Sequence, residues 1–553
     1  MPETVLTRNL RESFRLRKIE AFAWPAARAF LSMLVPLVVL LSIGHLDLVA
    51  GAVFGGLISV YCRYEPYRQQ ARSLAVVAVT MVLAVLAGDL IAVFGAGSAL
   101  HEPLALVVTA IVGAVTTAVA TAVKIGAPGG LIFTFATGAC AHLALPASAL
   151  GWHVLVTALS AAFAWAVSVL GARAAGLIPH RRVVAQALEG TAAHLAARPD
   201  LDSRHNAVVA VEQAWHSVAL VPDRLRGSPE HLELVRAVET CEALLAGQEA
   251  AADDVRADDV RAAARELRRR GSCDGVLAGG RTGSGEGVSP VVPAMPPSRW
   301  HVIRDVLRAA VRPGRHARGW LVPYAARVGL AALLSGVVAN VLGIGHAYWA
   351  EVSAVSILQA TSTATSVPRM VQRVSGTVFG VLIALGLLSA HPAPWVIIVL
   401  LAVLQWGAEM TVMINYTFAL LFATPVALLV AGLASPAEPG ELVLSRLLAT
   451  LLGAALAVVV AWLLPHRPWL ARVRTALARV RELTCGEPVQ PARLRRALVE
   501  LHEAYEVAAG EVPHSQLPVE ELRELSDRAY GLLDLREYHR TSSSGPMPVR
   551  ALR

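Results

Sequence analysis

Lysine is almost missing from this chain. Lys18 and Lys124 are the only two, and arginine carries the rest of the basic charge. Charge of either sign is scarce: Asp, Glu, Lys and Arg make up 16% of 553 residues. A soluble domain carries about 25%, so an ordinary soluble protein is excluded. Cysteine is sparse too. Cys62, Cys140, Cys241, Cys273 and Cys485 lie far apart with no C-x-x-C spacing, which excludes a disulfide framework and a zinc motif. No H-E-x-x-H occurs among the histidines. Gly280-Arg281-Thr282-Gly283-Ser284-Gly285-Glu286-Gly287 imitates a P-loop, but Glu286 and Gly287 stand where Lys and Ser or Thr are needed. A carboxylate there repels phosphate, so the run reads as linker and no ATP-driven pump is expected. Paired carboxylates, a metal cluster and a nucleophile–base arrangement are all missing from the pattern. No enzyme activity and no cofactor are expected.

Apolar residues are what the chain does have, at 55%. They gather into twelve stretches, each near the roughly 20 residues that a membrane span needs. The first six are read at about 25–43, 48–62, 73–94, 103–122, 129–146 and 151–172. The second six are read at about 322–342, 346–362, 373–390, 393–410, 414–433 and 442–464. The expected fold is an all-α integral membrane protein of about twelve transmembrane helices. The basic start followed by 29–43 imitates a signal peptide, but the spans behind it favour an uncleaved first helix.

The two blocks echo each other. His45, Arg68 and Arg72 recur as His346, Arg369 and Arg373 at one constant spacing, and Ile178-Pro179-His180-Arg181 recurs as Leu464-Pro465-His466-Arg467. Duplicated six-helix halves are typical of transporters and channels. Arginines precede span one, sit between spans two and three and follow span six. The alternate loops 44–47, 95–102 and 146–150 hold no Lys or Arg, and the second block repeats the bias. The positive-inside rule then puts both termini and the middle region in the cytoplasm, with the halves as parallel repeats. The net charge of +8 is read as anchoring to the lipid surface, not as nucleic-acid binding.

Five segments are expected: a cytoplasmic start at 1–24, a first transmembrane half at 25–179, a cytoplasmic region at 180–320, a second transmembrane half at 321–465 and a cytoplasmic end at 466–553. The middle region carries helical apolar spacing at 183–197, 206–220, 231–247 and 257–270. A Gly/Pro-rich linker follows at 271–298, then a basic amphipathic stretch at 299–312.

Charged residues inside or beside spans are the site candidates. Arg369 and Arg373 are four apart and share one helix face. Topological anchoring explains an arginine there but not a register that recurs in both halves. Arg446 lies in the first turns of span twelve, on the side where basic residues are otherwise absent. It either snorkels to headgroups or contacts an anion, or pairs with Glu441, Glu351 or Glu409. Glu409 and Asp89 sit where acids carry protons in transporters, though solvated helix ends also look like this. His346 is either interfacial packing or a proton-coupling group.

Tyr348-Trp349-Ala350, Pro368-Arg369, Gln372-Arg373, Gly376-Thr377, Gly380, Asn415-Tyr416, Phe422-Ala423-Thr424-Pro425, Arg446, Thr450, Gly453 and Pro465 form a familiar series. It resembles the fusaric acid resistance family, also called aromatic acid exporters, and more remotely the plant aluminium-activated malate channels. The resemblance is strongest over 345–467 and weaker in the first half, where Ala75 and Val76 stand where Gly376 and Thr377 would align. It implies an exporter of organic anions, typically aromatic carboxylates, driven by proton-motive energy in the inner (plasma) membrane. On that reading Arg369, Arg373 and Arg446 attract the carboxylate, and Asn415, Thr424, Trp349 and Tyr416 line its path. Glu409 and His346 are the proton-coupling candidates, and Gly376, Thr377 and Gly380 form a helix-packing face. The lipid bilayer and a small organic anion are the expected partners, and the chain is compatible with a homo-oligomer. A passive anion channel and a non-transporting scaffold acting through its cytoplasmic helices stay open.

Overall fold

The computed structural model describes residues 23–63, 67–174, 176–196, 201–245, 257–272, 321–359, 363–412, 414–434, 438–464, 467–485, 491–509 and 517–542. Among them the regular elements are helices, with no strand. In chain order these are α1 Ala23–Ile43, α2 Val49–Gly56, α3 Tyr67–Gly95, α4 His101–Ala122, α5 Leu131–Ala141 and α6 Leu150–Ala174. Then come α7 Ile178–Ala196, α8 Leu201–Ala219, α9 Pro229–Leu245 and α10 Ala257–Arg270. The second apolar block is α11 Leu321–Val341, α12 Tyr348–Leu358, α13 Thr363–Ser389, α14 Pro394–Thr411, α15 Tyr416–Ala434 and α16 Pro439–Leu463. The chain closes with α17 Arg467–Cys485, α18 Pro491–Ala509 and α19 Val519–Ser542. The basic stretch 299–312 and nearly all of the linker 271–298 lie outside the described residues.

Nine of the described helices are long and apolar enough to cross a membrane, and the chain is a multi-pass membrane protein. They are α1, α3, α4, α6, α11 and α13 to α16. Three stretches expected as full spans are short. The stretch read at 48–62 becomes α2 between two 3₁₀ turns, 129–146 becomes α5, and 346–362 becomes α12. Each short helix is held inside the apolar unit: every residue of α2 and of α12 is buried. A segment covered by protein on all sides need not match the bilayer thickness.

The described chain divides into two compact units. The apolar unit takes 1–63, 70–171 and 299–468, so both apolar blocks belong to one body. Its exterior carries large apolar side chains such as Val79, Leu83, Ile111, Phe379, Leu382 and Leu448. Its interior is rich in Gly, Ala, Ser and Thr, including Ser32, Thr109, Thr117, Thr134, Thr157 and Thr377. That is inverted relative to a soluble core, as expected where lipid tails are the solvent and small residues let backbones approach.

Inter-block packing is reciprocal. α1 packs on α14 while α11 packs on α4, and α2 packs on α15 while α12 packs on α5. Local geometry echoes this. Gly44 after α1 and Gly343 after α11 both adopt positive φ, +77° and +68°. The next residues, His45 and Ile344, donate to Leu40 O and Ala339 O, closing both helices in the same way. Arg28 in α1 donates to Tyr61 O at 2.9 Å, and Arg327 in α11 donates to Ala461 O at 2.8 Å.

The second unit takes 64–69, 172–298 and 469–553, two stretches far apart in sequence. Val184, Leu188, Val211, Trp215, Val238 and Leu267 from α7 to α10 share one core. α18 packs on α8, with Arg496 on Glu212 at 2.8 Å. His205 of α8 stacks on His502 of α18, ring centroids 3.8 Å apart, with the Tyr530 hydroxyl 3.4 Å from His205 Nδ1.

Burial pushes the His205 imidazole down to about 4, and the charge of His502 adds to the effect. Burial also takes His180 to about 4. An unfolded histidine titrates near about 6.5, so the unfolded chain binds more protons across this window. The stabilising effect is complete above about pH 6.5 and is lost as pH falls toward about 4. Amide exchange of α7 and α8 in the full-length protein, corrected for intrinsic rates, is therefore expected to be faster at about pH 5 than at about pH 7. His205→Gln, which cannot take up the proton, should shrink that difference.

Candidate functional site

α12 sits at the centre of the second block and touches α11, α13, α16, α4 and α5. Gly453 of α16 lets it in: a Cβ there would lie 2.2 Å from Ala350 O. The approach brings Arg446, about two turns into α16, over the Trp349 ring, Cζ 5.1 Å from the centroid. Trp349 is fully buried and Arg446 almost so. A guanidinium on an indole face gains cation–π attraction, most when desolvated. Arg446 Nε and Nη1 and Trp349 Nε1 make no hydrogen bond among the described residues.

Arg373 comes to the same face of α12 from α13. It donates from Nη1 to the Tyr416 hydroxyl at 2.8 Å and from Nη2 to Ser353 Oγ at 3.5 Å. Arg369, one turn earlier, lies with its Cζ 6.0 Å from the centre of the Tyr416 ring. Tyr416 thus meets both arginines of the repeated pair, one through its hydroxyl and one through its face. In the first block, the side chain of Arg68 lies outside the described residues.

Asn415 is buried, and its Oδ1 accepts the Thr417 N–H at 2.8 Å, the pattern of a helix N-cap at the start of α15. Thr424 is buried against α13, where a Cβ at Gly380 would lie 2.7 Å from Thr424 Cβ. Gly376 is equally tight, 2.6 Å from Leu420 Cβ by the same construction. Thr377 is buried beside them, so α13 and α15 meet along a small-residue face.

His346 has φ of +56° and packs edge-on against Trp349, ring centroids 4.8 Å apart. Tyr348 faces His142 of the first block at 5.2 Å, and His142 Nε2 lies 3.3 Å from Glu102. His45 is exposed and lies 3.6 Å from Asp47. Glu409 has a fixed cation: Arg63 grips it with Nε and Nη2, both at 2.7 Å. That bidentate pair joins the end of α14 to the segment after α2. Of the acids considered for Arg446, Glu409 is held by Arg63 and Glu441 is exposed. Glu351 is buried with neither oxygen hydrogen-bonded.

Two clusters bring ligand-type atoms within 4.8 Å: Asp89, Cys140 and His153, and His101, Glu102 and His142. The first is fully buried, with His153 Nδ1 on Asp89 Oδ2 at 2.8 Å. An apolar groove of about 900 Å³ also opens between α1 and α6, lined by Val35, Val39, Trp152, Leu155 and Leu159, with no arginine in its lining.

The convergence of Arg446, Arg373, Trp349 and Tyr416 falls within one segment that has relatives. Residues 332–460 match the family of fusaric acid resistance protein-like proteins. The match covers α12 to α15, about half of α11 and nearly all of α16, and it contains Trp349, Arg369, Arg373, Tyr416, Thr424 and Arg446. The chain is also 30% identical over 213 residues to the uncharacterized membrane protein YvaC of Bacillus subtilis (strain 168), covering 36% of this chain and 34% of that one. The alignment thus spans about a third of each protein. No solved structure matches the chain.

Sequence reading missed Arg28 and Arg327. Both follow an Ala-Ala pair, Ala26-Ala27 and Ala325-Ala326, and that echo was the available signal. Nothing in the pattern pointed to His153 as the group facing Asp89, because the two are 64 positions apart.

Proposed function

We propose that this protein transports organic anions across the membrane, exporting aromatic carboxylic acids or related toxic metabolites at the expense of the proton-motive force. The observation that carries this reading is the placing of Arg446 on the buried Trp349 ring, with Arg373 reaching Ser353 one turn along the same face of α12. Two guanidinium groups at one buried place repel each other and are costly in a low dielectric. An anion between them removes that cost. The donors at Arg446 Nε and Nη1 and Trp349 Nε1 suit a planar carboxylate, and the aromatic faces suit a ring attached to it.

In this reading Arg369 and Arg373, on one face of α13, draw the anion toward Arg446, and Tyr416 holds their geometry. The reciprocal packing of the two blocks supports two six-helix repeats, and the arginine bias of the loops supports parallel repeats with both termini in the cytoplasm of the inner membrane. The family match to residues 332–460 supports the substrate class.

The test is the double variant Arg369→Gln/Arg373→Gln in reconstituted protein. Carboxylate flux is expected to disappear while the protein still inserts and stays monodisperse. Unchanged flux would remove the anion-attracting role.

A further inference from the structure

Glu351 is completely buried, and neither carboxylate oxygen has a hydrogen-bond partner among the described residues. Its seat is shaped for it. Gly336 of α11 leaves room that any side chain would fill, since a Cβ there would lie 2.5 Å from Glu351 Oε1 and 2.8 Å from its Cγ. The side chain of Leu106 from α4 reaches the same spot. A carboxylate with no donor and no cation in such a place is strongly disfavoured. The packing shown here suits the neutral acid.

Among the described residues no cation pairs with it. On α16, Arg446 lies on Trp349, on the opposite face of α12, and on α13, Arg373 is bonded to Tyr416 and Ser353. On α4 and α5, His101 and Glu102 group with His142. On α11, Tyr324 and Arg327 are bonded to Leu358 O and Ala461 O, and Arg327 is about 13 Å along the helix from Gly336.

Position connects this acid to the anion site. Trp349 and Ser353 are four apart and share the α12 face that meets Arg446 and Arg373. Glu351 lies between them in sequence and so on the other face, toward α11 and α4. One helix of eleven residues therefore carries an anion-facing side and an acid-bearing side.

We propose that Glu351 binds the proton that is exchanged for the organic anion. This rests on the transporter reading for its coupling but not for its protonation. The step is simple: the Glu351 O–H bond breaks, the proton passes to water on one side, and a carboxylate remains. That carboxylate does not fit the present packing, so deprotonation favours another arrangement of α12 against α11 and α4. Trp349 moves with it. The proton and the anion are then linked through two arrangements of one helix.

The experiment uses full-length protein in lipid vesicles and two readouts. Infrared difference spectra at neutral pH are expected to show a protonated carboxyl band that disappears in Glu351→Gln. In flux assays with an aromatic carboxylate, Glu351→Gln should keep downhill exchange yet lose accumulation driven by a pH gradient by at least about tenfold. Glu351→Leu replaces it if the amide variant is not recovered, with the same expectation. A carboxyl band that persists in the variant, or undiminished uphill accumulation, would overturn the assignment. If the unsubstituted protein moves no carboxylate, the transporter reading fails, and loss of the band still supports Glu351 as a proton site.

Discussion

Arg446→Gln is expected to cut carboxylate flux by at least about 30-fold, with the protein still folded and inserted. Truncating one side of a buried, charge-assisted contact costs about 2–5 kcal/mol, and each 1.4 kcal/mol is about tenfold. Glutamine keeps the length and polarity but loses the charge and the planar fork. Arg446→Lys should not restore flux, because an ammonium can neither stack as flatly on Trp349 nor grip a carboxylate with two parallel donors. Initial-rate flux at matched protein density checks this. Near-normal flux in Arg446→Gln would mean that this arginine serves only the packing of α16.

Gly453→Val is expected to be the most damaging single change to the fold of the second block. The added carbon would fall 2.2 Å from Ala350 O, 2.9 Å from its carbonyl carbon and 3.0 Å from its Cα. All three are backbone atoms of α12 and cannot rotate away. Overpacking a tight site costs about 1–3 kcal/mol when side chains can yield, and this clash is expected to exceed that range. α12 and α16 would be wedged apart, carrying Arg446 off Trp349, so transport should vanish with the fold. Gly386→Ala in α13 is the matched control, since nothing lies within 4 Å of its Cβ position. It should be neutral or stabilising by about 0.5–1 kcal/mol. Thermal unfolding of the two purified variants separates a packing effect from a general dislike of glycine replacement.

The long helices were legible because a run of apolar residues near the thickness of a bilayer has few other uses. α1, α4, α6, α11 and α16 lie within a few residues of where hydropathy places them. α2, α5 and α12 were not legible as short helices. Their length is set by burial against neighbours, as with Gly51 of α2 against Thr157 and Gly138 of α5 against Tyr348, and apolar runs do not record it. The spacing that repeats Arg68 and Arg72 as Arg369 and Arg373 pointed to α13, where both second-block arginines meet Tyr416.

Other parts of the site required the fold. Arg446 was legible as an unusual charge in a span, but Trp349 as its contact was not, since the two come from helices nearly a hundred residues apart. Glu409 read as a proton carrier, a solvated helix end or a partner for Arg446, whereas Arg63 from the first block holds it. Glu351 read only as a possible partner for Arg446 in a stretch expected to span the membrane. Its meaning depends on Gly336, which only the approach of α11 to α12 reveals. The second unit was hidden for a related reason: it joins α7 to α10 with α17 to α19 across the whole second apolar block.

The most direct measurement is carboxylate flux into or out of proteoliposomes holding the full-length protein. A pH gradient and a membrane potential are imposed separately, with a panel of aromatic and aliphatic acids. Uphill movement of aromatic carboxylates driven by the pH gradient, lost in Arg369→Gln/Arg373→Gln, is the predicted result. Movement that only follows the anion's own gradient and carries large current would make the protein a channel. The absence of flux for every acid tested would contradict the transport account and direct attention to the second helical unit.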